Sequence, residues 1–356
     1  MIMTRKPFFS IVIPTYNRSA DLRFALFCIL RQRFDDYEIV VSDNCSTDNT
    51  KEVVDRFNDV RIRYCRNHVN IGMIANQKAA IEKAQGRYIF LLGDDDVLVY
   101  DTSLDEIYQE IIKRYPGYIR VNYASISFDK RHIFTYKVNK PLQSNFYLPP
   151  RCANEDVMSF IIDSDNYFYS GIVMRNTFPP GVHMIDADPS PWIDMVFHVA
   201  KRFGGYFIYK RHILALWSRR MKKSEDHGFY VPVEGAVKAE KYFLSLKDKL
   251  TQAAYKKFLQ REIKTIYVNL FPAIKASVGN KHLATIDRRI RQLAPELSAS
   301  FWYRMRLIAY FIIPARVLGI VKDVYLWLYM RLARVDEERQ LMRQLKELEE
   351  EYAVAL

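Results

Sequence analysis

The 356-residue chain contains only four cysteines and no paired-cysteine motif. They stand singly, at Cys28, Cys45, Cys65 and Cys152, without the C-x-x-C or histidine spacing of a zinc site. No apolar signal-peptide segment precedes the first strand pattern, which begins near Phe8. These absences argue against a zinc module and a disulfide scaffold, and they predict a cytoplasmic protein.

The C-terminal half also lacks an apolar run long enough to cross a bilayer. Its central run, residues 307–321, contains Pro314 and Arg316 and is shorter than the roughly 20 residues that a spanning helix needs. The surrounding segment, 301–334, mixes aromatic with basic residues, as interfacial helices do. Together with a net charge of +12, this predicts peripheral attachment to the anionic inner face of the cell membrane. Packing of these helices on protein is the alternative.

What the chain does have is a regular alternation of short apolar runs and amphipathic stretches over residues 8–92, which predicts βαβ units with a mostly parallel central sheet. Strands are expected near Phe9–Pro14, Glu38–Ser42, Ile62–Cys65 and Tyr88–Leu92, and helices near Ser19–Arg31, Thr47–Phe57 and Ile74–Ala84. A helix near 104–114, a strand near 118–128 and a helix near 154–163 follow. The fold class is therefore α/β.

The expected domain organisation has four parts. Residues 1–230 are predicted to form the α/β domain, 231–300 a helical region and 301–334 the membrane-associating helices. The charged segment 335–356 places four apolar residues at 4-3-4 spacing, at Leu341, Leu345, Leu348 and Tyr352. That spacing fits a short coiled coil joining two copies of the chain, and a solvated tail is the open alternative.

Three consecutive carboxylates, Asp94, Asp95 and Asp96, directly follow the apolar run that ends at Leu92. Adjacent carboxylates repel one another unless a cation or hydrogen-bond donors hold them. The cluster therefore predicts a metal site, with a solvated turn or a helix N-cap as the alternative.

Polar groups also follow the other predicted strands, where ligands bind in open α/β sheets. The loop 14–18 begins at Pro14 and can line a nucleotide with its backbone, while Arg18 suits anions. Asp43 is placed to accept hydrogen bonds from a base edge, and the Ser46–Asp48 run to cap the next helix. The turn 70–76 leads into a helix N-terminus that suits phosphate oxygens.

In this order, the motifs resemble those of family 2 glycosyltransferases of the GT-A fold. They are Pro14-Thr15-Tyr16-Asn17-Arg18, Ser42-Asp43-Asn44-Cys45-Ser46-Thr47-Asp48, Asn70-x-Gly72, Gly86-Arg87-Tyr88 and Asp94-Asp95-Asp96. The resemblance covers residues 8 to about 225. It implies a Rossmann-like nucleotide-sugar domain that transfers a sugar from a nucleoside diphosphate with inversion, using Mg or Mn.

The resemblance also implies roles for individual residues on the donor side. The residues expected to bind the nucleotide sugar are Pro14, Thr15, Tyr16, Arg18, Asp43, Asn70, Gly72, Asn76, Asp94, Asp95, Arg219 and Arg220. The family's first D-x-D carboxylate corresponds to Gly93 or to Asp94, so the metal ligand is Asp95 or Asp96, and Asp96 is preferred. Many relatives carry a histidine where Met221 stands.

On the acceptor side, the resemblance implies a general base at the start of a helix. Asp194 in Pro191-Trp192-Ile193-Asp194 matches that context, although Ile193 stands where Glu is usual. Asp186 and Asp188 are the competing candidates, and Ser170-Gly171 is expected along the acceptor cleft.

The resulting hypothesis is a metal-dependent hexosyl- or deoxyhexosyltransferase acting on a lipid-linked or oligosaccharide acceptor, such as a polyprenyl-linked glycan, in O-antigen or capsule synthesis. A basic nucleic-acid-binding protein is a second hypothesis, supported by the net charge but by no RNP, helix-turn-helix or zinc motif. A sugar nucleotidylyltransferase is a third, and it should carry a glycine-rich triphosphate loop where Thr15–Arg18 stands.

Overall fold

The computed structural model describes residues 6–126, 133–134, 142, 144–164, 168–185, 190–216, 244–247, 249–263, 284, 287–288, 290–292, 294–314, 317 and 335–355. They fall within two compact units. The first comprises Met1–Ile185, Trp192–Arg220 and Asp336–Leu356, and the second comprises Asp186–Pro191 and Met221–Val335. The boundary predicted near residue 230 lies outside the described residues.

All the described strands belong to the first unit. They are β1 (Phe9–Thr15), β2 (Tyr37–Asp43), β3 (Ile62–Arg66), β4 (Tyr88–Leu91), β5 (Asp96–Leu98), β6 (Tyr118–Ile126), β7 (Ile133–Phe134), β8 (Phe146–Leu148), β9 (Ile172–Arg175) and β10 (Gly205–Ala215). The helices are α1 (Ser19–Leu30), α2 (Thr50–Phe57), α3 (Met73–Glu82), α4 (Ser103–Arg114), α5 (Asn154–Asp163), α6 (Ile193–Phe203), α7 (Gln252–Ile263), α8 (Pro295–Ala299), α9 (Phe301–Ile312) and α10 (Val335–Val354). Helices α7 to α9 belong to the second unit.

The strands form one sheet in the order β3-β2-β1-β4-β9-β6-β10-β5, with β7 beside β6 and β8 beside β10. Strands β3, β2, β1 and β4 are parallel. Strand β9 is antiparallel to β4 and β6, and β10 is parallel to β6. Six of the ten described strands therefore point the same way, and the predicted α/β fold with a mostly parallel sheet is confirmed.

The core explains why the first strands read as continuous apolar runs. Helix α1 packs Leu22, Leu26 and Ile29 against the sheet, in one buried cluster with Ile11 and Ile39. Parallel strands covered by helices on both faces have no solvated face, so they lack the polar alternation of exposed sheets. This arrangement brings the ends of β1, β2, β3 and β4 to a common edge, and the amino end of β9 lies there too.

The C-terminal helix α10 packs on the first unit. Its Leu341, Leu345 and Leu348 are buried in a cluster that contains Phe24 of α1 and Val97 of β5. The Tyr352 ring lies 5.0 Å from the Phe24 ring, edge to face. The apolar stripe that suggests a coiled coil between copies is therefore occupied within the chain, and the solvated tail is excluded for this stripe.

Candidate functional site

The end of β1 and the loop after it place four of the predicted donor-binding residues at the carboxyl edge of the sheet. Thr15 is buried at the end of the strand, next to half-buried Pro14, whereas the Tyr16 side chain is 43% exposed. Arg18 immediately precedes α1 and lies beside the carboxylate turn. The structure thus gives this loop one accessible aromatic ring and one cation.

Side-chain hydrogen bonds join the loop after β1 to the loop after β2. The backbone N–H of Asn17 donates to Ser46 Oγ at 2.9 Å, and the backbone N–H of Thr47 donates to Asn17 Oδ1 at 2.7 Å. The Asp48 carboxylate accepts from the backbone N–H of Ser19 at 3.0 Å and of Thr50 at 3.1 Å, so it serves the first turns of α1 and α2 together. Capping by Ser46 and Thr47 is therefore wrong, because these two residues connect the loops.

Asp43 ends β2 with no exposed surface. One carboxylate oxygen accepts from the Ser46 N–H at 2.8 Å, and the other accepts from the Tyr64 hydroxyl. Burial and this contact with Asp43 raise the pKa of Tyr64, so the phenol remains a donor at neutral pH. In this structure Asp43 positions the loop around Ser46 and the ring of Tyr64.

The turn after β3 is held by four asparagines. Asn44 Nδ2 donates to Asn70 Oδ1 at 2.8 Å, and Asn67 Nδ2 donates to Asn76 Oδ1 at 2.9 Å. Asn76 is buried and also donates to the Ser42 carbonyl at 2.9 Å, so its amide holds β2, β3 and α3 together. Gly72 has a φ of +84°, and an added Cβ would meet no atom within 4 Å. The left-handed backbone conformation, rather than crowding by a neighbouring group, therefore favours glycine at this position.

The carboxylate turn lies between β4 and β5, where Thr15, Arg18 and Ser170 converge on it. Thr15 Oγ1 donates to Asp94 Oδ2 at 2.7 Å, and Arg18 Nη1 lies 3.1 Å from Asp94 Oδ1 and 3.0 Å from Asp95 Oδ2. The Ser170 hydroxyl donates to Asp96 and accepts from the Gly93 N–H at 2.8 Å. Asp94 and Asp96 are buried, and Asp95 is the more exposed of the three.

Gly93 and the carboxylates are packed too tightly for a side chain at position 93. A Cβ there would lie 2.8 Å from Asp96 Oδ2 and 3.3 Å from Ser170 Oγ. The glycine therefore lets Ser170 reach both the turn and Asp96. A side chain at position 93 would therefore displace the Asp96 carboxylate or the Ser170 hydroxyl.

Electrostatics distinguish the carboxylates. Burial and the neighbouring Asp95 raise the pKa of Asp94 to about 7, against the opposing effect of Arg18 and Thr15. Burial and Asp95 likewise raise the pKa of Asp96 well above its usual range, although the Ser170 hydroxyl opposes this. Burial and crowding thus disfavour the ionised form of both carboxyls, and a cation beside the turn would favour it.

The donor set fits a hard divalent cation that is shared with a ligand. Carboxylate oxygens suit Mg and Mn, and Mg sites often combine one or two carboxylates with substrate phosphates. Among the described residues, no group of three His, Cys, Asp or Glu side chains is placed to hold a metal by itself. A diphosphate that supplies the remaining oxygens agrees with both facts.

On the acceptor side, Asp194 lies in the first turn of α6 and is half-buried. Trp192, which precedes this helix, packs its ring 5.5 Å from the ring of Tyr169. Burial and the negative charge of Asp94 raise the pKa of Tyr169, and its hydroxyl donates to the Val12 carbonyl of β1 at 3.5 Å. The predicted base thus lies in the first turn of a helix whose preceding residue, Trp192, packs on Tyr169.

Two contacts at the site were missed by sequence reasoning. Ser170, expected along the acceptor cleft, also holds the carboxylate turn through Asp96 and Gly93. Arg120, buried within β6, donates to the carbonyl oxygens of Ser170 at 2.6 Å and Ser164 at 3.2 Å. An arginine inside the apolar strand 118–126 was the available signal, since a buried guanidinium needs acceptors.

Several sequence predictions concern positions that the structure does not describe. Arg219 and Arg220, expected to contact phosphate, lie outside the described residues, as do Met221, Asp186 and Asp188. Their roles stay predictions.

Comparison with known proteins agrees with this geometry. Residues 10–169 match the family model described as glycosyl transferase family 2. These residues form a family 2 glycosyltransferase domain. The match includes the predicted donor-side residues from Pro14 to Asp96, and it ends at Tyr169, before Asp194.

Curated relatives are similar over the same N-terminal part. The chain is 42% identical over 98 residues to abequosyltransferase RfbV of Salmonella typhimurium, which is 26% of this chain and 29% of the relative. It is 38% identical over 96 residues to a GalNAc(5)-diNAcBac-PP-undecaprenol beta-1,3-glucosyltransferase of Campylobacter jejuni, 26% of this chain and 31% of the relative. The matches thus span about a third of the length of these relatives.

Among solved structures, S. aureus TarS 1-349 in complex with UDP-GlcNAc is similar over most of the chain. The TM-score is 0.60 at 16% identity, covering 85% of this chain and 89% of that chain. At this identity the likeness shows the fold, which is that of a GT-A glycosyltransferase.

Proposed function

We propose that this protein transfers a sugar from a nucleoside diphosphate to a lipid-linked or oligosaccharide acceptor in bacterial surface polysaccharide synthesis, with inversion at the sugar carbon. The observation that carries the proposal is the convergence of Thr15 and Arg18 with the Asp94–Asp96 turn at the carboxyl edge of a family 2 domain. The relatives' names add sugar transfer and, for the Campylobacter enzyme, an undecaprenol-linked acceptor.

Within this reaction, Asp95 is the residue that would hold Mg or Mn. The sequence preference for Asp96 is less favourable, because its carboxylate is buried and receives the Ser170 hydroxyl. Asp95 is more accessible and is part of the same carboxylate pair that attracts Arg18. When bound, the divalent ion supplies Lewis-acid stabilisation to the departing nucleoside diphosphate.

Asp194 is the proposed general base. An acceptor hydroxyl that attacks the sugar carbon loses its proton, and a carboxylate within hydrogen-bonding reach takes it. Trp192, just before α6, packs on Tyr169, whose hydroxyl donates to the Val12 carbonyl of β1, and these contacts support Asp194 for this role. Tyr16 and Arg18 would line the nucleotide and its phosphates, as guanidinium geometry favours.

The second unit supports a membrane-proximal acceptor. Helix α9 has one exposed apolar face that includes Trp302, 80% exposed, and Ile312, 74% exposed. The other members of this face are Phe301, Met305 and Ile308. Arg304 and Arg306 are exposed on the same helix, and this combination suits the interface of an anionic membrane.

Among the described helices, none has both the length and the apolar character needed to cross a bilayer.

The transfer proposal is tested by product formation from a panel of UDP-, GDP-, CDP- and dTDP-sugars, with and without Mn²⁺, using a polyprenyl-linked glycan acceptor. Asp95→Asn should lose metal-dependent turnover, while Asp194→Asn should bind the donor and fail to transfer, with activity lower by about 10²- to 10⁴-fold. Asp105→Asn, in the first turn of α4, is the matched control. No transfer from any donor to the acceptor would contradict the proposal.

The membrane part is tested by sedimentation with phosphatidylglycerol vesicles. Trp302→Ser with Ile308→Ser should release the protein, because both side chains lie on the exposed face of α9. Val60→Ser, which removes an exposed apolar side chain from the first unit, is the control. Unchanged sedimentation of the double variant would exclude α9 as the contact.

A further inference from the structure

Arg18 bridges two of the three carboxylates through one nitrogen. Its Nη1 lies 3.1 Å from Asp94 Oδ1 and 3.0 Å from Asp95 Oδ2. The Arg18 side chain is 37% exposed, compared with 7% for Asp94 and 18% for Asp95. The cation is therefore the accessible partner of this trio, and the carboxylates are the enclosed ones.

The other contacts of the turn leave Arg18 as its counter-ion. Thr15 donates to the second oxygen of Asp94, and Ser170 donates to Asp96, but both donors are neutral hydroxyls. Arg18 contributes positive charge beside these neutral donors, and arginine stays charged at any physiological pH. A divalent ion held by the Asp95 carboxylate would be repelled by the guanidinium that contacts the same carboxylate.

Arg18 is also well placed to leave the carboxylates. It stands just before the first helical residue of α1, and the N-terminal end of a helix attracts anions. Its guanidinium can bind two phosphate oxygens at once. A diphosphate bound beside the carboxylate turn would give the Arg18 guanidinium a second anion to pair with if a divalent ion occupied Asp95.

We propose that Arg18 is an exchangeable counter-ion, which neutralises Asp94 and Asp95 before donor binding and moves to the diphosphate when nucleotide and divalent ion bind together. This inference rests on the proposed function, because it assumes that the carboxylate turn receives a cation and a diphosphate. The proposal predicts that the metal and the nucleotide bind cooperatively. A metal that binds alone must displace Arg18 from the carboxylates and leave the guanidinium without an anion, whereas the metal and the nucleotide together give it a second anion.

The first measurement is Mn²⁺ binding without nucleotide, followed by the loss of the free Mn²⁺ signal in electron paramagnetic resonance. Arg18→Gln should bind Mn²⁺ about 3- to 10-fold more tightly than the wild type, because the competing cation is gone. Arg18→Lys keeps a charge and should bind close to the wild-type affinity. Arg33→Gln is the matched control, since it removes one positive charge that pairs with Asp101.

The second measurement adds the nucleoside diphosphate, chosen from UDP, GDP, CDP and dTDP by its binding to the wild type. Arg18→Gln should bind that nucleotide about tenfold more weakly in the presence of Mn²⁺, so the same substitution acts in opposite directions on the two ligands. Thermal unfolding of each variant checks that the fold is retained.

The outcomes separate this inference from the proposed function. If the wild type binds Mn²⁺ and a nucleotide but Arg18→Gln binds Mn²⁺ alone equally or more weakly, the exchange is wrong and the proposed function stands. If the wild type binds neither Mn²⁺ nor any of the four nucleotides, the proposed function itself fails, and the exchange fails with it.

Discussion

Two regions of the first unit are each stabilised by a different kind of contact. The loops after β1 and β2 are joined by hydrogen bonds of Asn17, Ser46 and Asp48. The edge formed by β5 and β10 is instead covered by the apolar face of α10, which arrives from the far end of the chain. We call the hydrogen bonds between the two loops the polar brace, and the packing of α10 the apolar brace. The polar brace joins segments that are close in the sequence, and the apolar brace joins segments that are far apart in it.

The difference follows from what each part must present. The loops after β1 and β2 carry side chains that are proposed to bind the donor, and hydrogen bonds fix polar groups in direction as well as position. Strand β5 begins at Asp96 and continues into buried Val97, so the carboxylate turn needs support from behind. Helix α10 provides it through Leu341, Leu345 and Leu348, which share a cluster with Val97.

The largest expected effect comes from breaking the apolar brace. Leu345→Ala should lower the free energy of unfolding by about 2 to 4 kcal/mol, because it removes a buried side chain and leaves a cavity. Chemical denaturation measures the change. Lys346→Ala, one residue away and exposed on α10, is the control and should have little effect. Equal effects of the two substitutions would mean that α10 does not pack on the first unit.

A smaller effect is expected at His212 of β10, whose ring is buried with Nε2 3.8 Å from Glu106 Oε2. Burial lowers the pKa of His212 to about 4, against the raising effect of Glu106. The folded state therefore takes up a proton less readily than the unfolded chain, so stability is complete above the usual histidine pKa of about 6.5 and declines as the pH falls towards 4.

This linkage predicts that the free energy of unfolding falls by about 2 kcal/mol between pH 7.5 and pH 5 through His212. His212→Gln should flatten that pH dependence, whatever its effect on stability at neutral pH. Urea titrations of both proteins at the two pH values give the comparison. An undiminished slope in the variant would assign the pH dependence to other groups.

The two braces also differ in how far they can be predicted from sequence. The first four strands and three helices were predicted to within a few residues, because each has a local apolar period and packs on its neighbours in sequence. Helix α5 was predicted at its observed bounds, 154–163. The three-residue strand β5 and the insertion of β9 between β4 and β6 depend on distant pairing, which no local pattern records.

The candidate site divides in the same way. Convergence of Thr15, Arg18 and Asp94 followed from the common edge of parallel strands. The partners of Asp43 and Asp96, by contrast, are Tyr64 and Ser170, and their contacts require the folded arrangement. Sequence reasoning left self-association and a solvated tail open for α10, because a 4-3-4 stripe does not show which surface covers it.

The polar brace should be weaker than the apolar one. Asp48→Asn should cost about 1 kcal/mol, since an amide replaces the carboxylate that accepts from the N-termini of α1 and α2. Although burial raises it, hydrogen bonds from Thr50 and Ser19 hold the pKa of Asp48 below its usual value. The carboxylate therefore contributes its stability above about pH 3.8, and loses it as the pH falls further.

Thermal unfolding at pH 7 compares Asp48→Asn with Asp55→Asn, a control on α2 whose carboxylate forms an exposed pair with Lys51. A loss for Asp48→Asn as large as that for Leu345→Ala would show that the two braces contribute equally. No loss would show that the hydrogen bonds orient the loops without stabilising the fold.

The smallest effect is expected where α10 meets solvent. Glu351 of α10 lies 2.9 Å from Arg31, just past the end of α1, and its side chain is 52% exposed. Exposed ion pairs gain little because water and salt screen them, so Glu351→Gln should change the free energy of unfolding by less than about 0.5 kcal/mol. Denaturation at low and high salt measures this pair. A loss that persists at high salt would mean that the distant brace depends on charge as well as on its apolar face, since screening would otherwise remove the contribution of the pair.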